Sequence, residues 1–166
     1  MTPRVRKLML TVHLSFSVGW LGAVAVFLAL AISGVLSVQP QQMRAAYLAM
    51  DLTAWFVIVP FSFASLLTGV VQALGSEWGL LQHYWVAIKL LMTVLATIVL
   101  LVHMQPISHM ASVAAADRLS ATDLHGVRLQ LVADASAALL VLLVATTLSV
   151  YKPRGKMQYA RRKQHG

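Results

Sequence analysis

The fold is decided by Leu8–Gly34, LMLTVHLSFSVGWLGAVAVFLALAISG, a run without a single Asp, Glu, Lys or Arg. About 20 apolar residues suffice for an α-helix to cross a hydrocarbon core roughly 30 Å thick. The run follows Arg4, Arg6 and Lys7 and contains Ala29-Leu30-Ala31, a layout shared with secretory signal peptides. Their apolar cores are only about 7–15 residues long, however, so this one is read as a retained helix. Three more runs of spanning length follow, Tyr47–Leu74, Tyr84–His103 and Leu129–Tyr151, and they carry only Asp51, Lys89 and Asp134 as charged residues. The connections are Ser37–Met43 with Pro40, Gly75–His83 with Gly79, and a polar outer loop over 104–126 predicted to hold a short surface helix. A basic tail occupies 152–166. The fold class expected is all-α: one membrane domain over 1–166, a four-transmembrane-helix bundle that is multi-pass in the inner (plasma) membrane.

Composition agrees. The 166 residues are 59% hydrophobic and 11% charged, against roughly 45–50% and 25% in soluble domains. With no cysteine in the chain, disulfides, thiolate metal sites, iron–sulfur clusters and Cys nucleophiles are excluded. The net charge of +8 is gathered in short flanks beside the apolar runs, so the expected partner is anionic lipid headgroups and not nucleic acid. Arg4, Arg6 and Lys7 fall on the same side as Lys152, Arg154, Lys156, Arg161, Arg162 and Lys163, while Arg44, Arg118 and Arg128 fall on the other. Short cytoplasmic segments keep the positive excess, so both termini are predicted to be cytoplasmic.

Polar groups inside spans are costly and usually face the bundle interior. Steps of three and four residues keep to one helix face. They trace His13, Ser17, Trp20 and Val24 in the first span, and Asp51, Trp55, Ile58, Ser62, Ser65, Gly69 and Gln72 in the second. The third gives Lys89, Thr93, Ala96, Leu100 and His103, and the fourth Gln130, Asp134, Ala138, Val141 and Ala145. Turned inward, these faces predict two polar layers. In the inner layer His13 and Lys89 share a depth, with Trp20 nearer the bilayer centre; in the outer, Asp51 and Asp134 come within reach of His103 or Arg128. Lys89 and His103 are about 21 Å apart along their helix, too far for one small site. Each group also has a structural reading. Lys89 can snorkel to headgroups, Asp51 can pair with Arg44, Asp134 with His103 or Arg128, and His13 can hydrogen-bond a neighbouring helix. Pro60 is expected to kink the second span.

The first span reads His13-x6-Trp20-x-Gly22 and the third Trp85-Val-Ala-Ile-Lys89-Leu90. Together these resemble a broad group of bacterial four-helix membrane units. It includes the copper-resistance D-like proteins, the oxygen-independent protoporphyrinogen oxidases that carry haem b (heme b), and an uncharacterised branch of integral membrane proteins, which is the nearest in pattern. The resemblance implies that His13 is a haem ligand and that Lys89 is essential at the same site. The oxidase branch has Trp-Phe-x-Gly followed by an Arg-containing stretch and a further His, whereas Trp20 here is followed by Leu-Gly-Ala-Val-Ala-Val.

Three functions follow as expectations. The first is binding of haem b or another porphyrin by His13, Lys89 and Trp20. The second is a metal-ion or proton handler built on His103, Asp51 and Asp134, a donor set suited to Cu(II) or Zn. The third is a non-catalytic membrane subunit or scaffold with a homo-oligomeric or other membrane partner. No nucleophile–base pair, phosphate-binding glycine loop or zinc-protease motif is present, so any enzymatic activity would need a bound cofactor, as in a haem-dependent membrane oxidoreductase.

Overall fold

A computed structural model describes residues 2–75, 84–116 and 124–151, and among these the regular structure is entirely helical. Helix α1 spans Pro3–Leu36, α2 Pro40–Thr53, α3 Val59–Leu74, α4 Tyr84–Ala115 and α5 His125–Tyr151. A π-helical turn, Ala54–Ile58, joins α2 to α3 without a break. The chain thus presents four helices long and apolar enough to cross a membrane, Pro3–Leu36, Pro40–Leu74, Val86–Ala115 and His125–Tyr151.

Local chemistry sets several boundaries. Thr2 caps α1 by accepting from the Val5 N–H at 3.5 Å, and Pro3 and Pro40 begin their helices, where the missing N–H costs nothing. Pro60 accounts for the π-turn. In a regular helix its ring would meet the carbonyl of Phe56, four residues back. The turn widens immediately before it, with the Val59 N–H reaching the Ala54 carbonyl. The second span therefore absorbs its proline by widening.

The helices overrun the expected spans, α2 already starting at Pro40, seven residues before Tyr47, and the largest departure is at the outer loop. The outer loop expected over 104–126 is largely helical: α4 runs on through Pro106 to Ala115, and α5 already starts at His125. The reason is packing. Met104, Ile107, Met110, Ala111 and Ala114 recur at helical spacing and are buried, so the extension has an apolar face of its own to cover. The part of that loop over 117–123, the loop 76–83 and the tail 152–166 lie outside the described residues.

Each span packs on its two neighbours in the chain, and the fourth closes back on the first. The result is a four-helix ring with the first and third spans on one diagonal. Its packing is uneven along the axis. At the end away from Pro3 and Tyr151, called here the far end, Tyr47, Met50, Met104, Ile107, Met110, Leu124 and Leu131 form a dense core. Mid-bundle, Trp20, Val24, Phe27, Ile58 and Leu142 continue it. Toward Pro3 and Tyr151 this core stops: among the described residues the last buried groups are Trp20 on α1, Ser65 on α3, Thr97 on α4 and Ala145 on α5. Beyond them the helices enclose open space.

Candidate functional site

That space is a cavity of about 630 Å³ at the end of the bundle where the described chain begins and ends. All four spans line it: α1 from Arg6 to Trp20, α3 from Ser65 to Ala73, α4 from Val86 to Thr93 and α5 from Leu142 to Val150. Sites for small ligands commonly occupy about 300–1,000 Å³. Trp20, 3% exposed, closes the bottom.

His13 stands on the wall. Its Nδ1 lies 3.0 Å from the Ser65 carbonyl oxygen and 3.2 Å from Thr68 Oγ1. A carbonyl only accepts, so these partners assign the ring proton to Nδ1. Thr68 is free to accept as well, since its own hydroxyl donates to the Ala64 carbonyl at 2.6 Å. The lone pair is left on Nε2, which faces Lys89 Nζ at 3.4 Å. One imidazole thereby bridges α1 to α3 on one side and to α4 on the other. The equal depth predicted from counting turns is the depth at which the two side chains meet.

Two further residues build this placement. Ser65 gives its carbonyl to His13 and its hydroxyl to Ser17, whose Oγ is 2.8 Å away, so one turn of α3 orients two side chains of α1. Gly69 clears the ring. A Cβ at that position would lie 2.9 Å from His13 Cε1, inside contact distance, so the imidazole rests directly on the backbone of α3. Sequence reasoning put Ser65 and Gly69 on the inward face without assigning them to His13, and it passed over Thr68, which lies beside that face.

The far end is built differently, and it sets His103, Asp51 and Asp134 in two separate arrangements. Among the described residues no group of three His, Asp or Glu gathers closely enough to hold a metal ion. His103 Nε2 is 3.1 Å from Asp134 Oδ2, with side chains 24% and 34% exposed, and its Nδ1 donates to the Val99 carbonyl at 2.7 Å. Asp51 joins neither, nor does it pair with Arg44. Its Oδ1 accepts from Ser108 at 2.7 Å, and Ser108 in turn accepts from Trp55 Nε1 at 3.2 Å. The physical reason is register: Ser108 lies five residues beyond His103, about 7.5 Å further along α4. The far-end polar groups form a pair and a chain at two depths.

The methionines also take their places. Met50, Met104 and Met110 are buried in the apolar core. Close by, the Arg128 guanidinium sits 5.9 Å from the centre of the Tyr47 ring, and Gly34 admits that ring, since a Cβ there would lie 2.8 Å from Tyr47 Cζ. The chain matches no protein-family model, no curated protein and no solved structure.

Proposed function

We propose that the chain is a four-helix plasma-membrane protein with both termini in the cytoplasm, and that the cavity lined by His13 binds haem b or a related porphyrin, with His13 as the residue that would hold the iron. The observation that carries the reading is the fixed orientation of His13. With Nδ1–H held by the Ser65 carbonyl, the lone pair of Nε2 is turned toward Lys89 in a cavity of ligand size. Metal-binding histidines characteristically donate their other ring N–H to a carbonyl or carboxylate, which fixes tautomer and ring angle. The donor chemistry and the space fit the group. The His13-x6-Trp20-x-Gly22 stretch and its resemblance to haem-carrying four-helix units support the same choice.

Bound there, haem would supply one-electron redox chemistry. His13 would hold the iron, and Ser65 holds His13. Trp20 closes the cavity toward the bilayer centre and keeps water from that side. Lys89 stands in front of Nε2, and its flexible four-carbon stem lets the ammonium move aside when a ligand enters. The cytoplasmic orientation follows from the basic residues around the two termini.

A second reading has an observation of its own. Both ring nitrogens of His13 already have partners, which also suits a polar lock in a non-catalytic membrane subunit. Purification from cells supplied with ample haem separates the two. The proposed function expects a Soret band that co-elutes with the protein, is lost in His13→Ala and is reduced less by Lys89→Met. A colourless wild-type protein would leave the scaffold reading standing.

A further inference from the structure

Among the described residues, the cavity carries its cations at the mouth and beside His13. Its walls are mostly apolar, formed by Leu10, Leu14, Val18, Val86, Leu90 and Leu142, while Arg6 and Lys7 line its mouth. On α1 the stripe Arg6, Leu10, His13, Ser17 follows alternating steps of four and three residues, so Arg6 shares a face with the histidine, and Lys7 beside it also lines the cavity. Seven residues separate Arg6 from His13, about 10 Å along the axis. That is the scale on which a ring held at its centre presents its edge. Lys89, the other lining cation, stands at the depth of His13 and so meets the ligand's centre. The acidic side chains the structure describes, Asp51 and Asp134, both lie at the far end.

We propose that Arg6 and Lys7 select the ligand by its acids: the cavity takes an amphiphilic tetrapyrrole whose carboxylates lie along one edge, and discriminates against one with none or with acids all round. The inference rests on the haem reading of the same cavity and adds the specificity of the site. A carboxylate against the apolar wall would lose its water without gaining a partner, at a cost larger than an exposed ion pair returns. At the mouth it keeps both water and a cation. Ester groups there would gain no ion pair.

The test titrates the full chain in detergent with three probes followed by Soret absorbance: iron protoporphyrin IX, with two acids on one edge; its dimethyl ester, with none; and iron coproporphyrin I, with four spread around the ring. Wild type should bind the diacid about tenfold more tightly than the ester, the factor expected of two partly exposed ion pairs, and the tetra-acid more weakly than the diacid. The Arg6→Gln/Lys7→Gln double variant should lose the preference for diacid over ester, and raised salt should shrink it. Arg4→Gln, a cation outside the lining, should retain it. Equal binding of diacid and ester by wild type, with His13 still required, overturns the selection by acids and leaves the haem reading intact. Absence of a Soret shift with all three probes overturns both.

Discussion

Gly69 is the residue on which the placement of His13 turns, because its missing Cβ lets the imidazole reach the Ser65 carbonyl. Gly69→Ala would crowd the ring at 2.9 Å and shift it by tenths of an ångström, loosening the contact that orients Nε2. The expected result is a haem affinity about tenfold weaker, in line with the ~1–3 kcal/mol typical of overpacking, with the helix content unchanged in circular dichroism. Gly22→Ala serves as its control: a Cβ there meets nothing within 4 Å, so affinity should stay at the wild-type value. At this scale the sequence is informative about groups that are anomalous in an apolar run. His13 and Lys89 stand out for their cost in hydrocarbon, and the turn count places them level. The Ser65 carbonyl cannot stand out, since every residue carries one, and its role emerges only when two helices are set side by side.

The elements show why apolar length reveals a span but not where its helix ends. Hydropathy falls at His103, yet α4 continues to Ala115, because Met104, Ile107, Met110 and Ala114 give the extension a buried face. That periodicity is present in the sequence and is masked by Pro106 and the polar residues between. The π-turn before Pro60 is less legible, since a proline announces a disturbance without saying whether the helix bends or widens. Two predictions belong here. Gly34→Ala would force a Cβ to 2.8 Å from the Tyr47 ring where α1 meets α2, and should cost about 1–3 kcal/mol. Thermal unfolding in detergent should show that loss, and haem affinity should be unaffected, because the contact lies at the opposite end from the cavity. A double-mutant cycle on His103→Ala and Asp134→Ala should give a coupling of only about 0.2–1 kcal/mol, as for partly exposed pairs elsewhere. A coupling of several kcal/mol would mean that this pair organises the junction of α4 and α5.

For the whole molecule, the decisive property is unequal packing: a dense far-end core of Tyr47, Met50, Met110 and Leu131 against a cavity near the termini. The four long helices were legible from apolar run length alone. The cavity was not, because the leucines and valines that line it are the residue types that also face lipid. Orientation is an electrostatic matter. A reporter fused after Gln164 should be cytoplasmic and one inserted near Asp117 external, in accord with the excess of Lys and Arg about the termini; the reverse pattern would place the cavity mouth on the outside. The most direct test of the central claim, that His13 Nε2 is the group the cavity offers to a metal, is chemical rescue. His13→Gly protein is titrated with iron protoporphyrin IX, with and without free imidazole, and its Soret absorbance is compared with that of wild type. The account predicts that the variant loses the wild-type band and that imidazole restores it, because the free base takes the vacated position in front of α3. A wild-type band in His13→Gly without imidazole would contradict it.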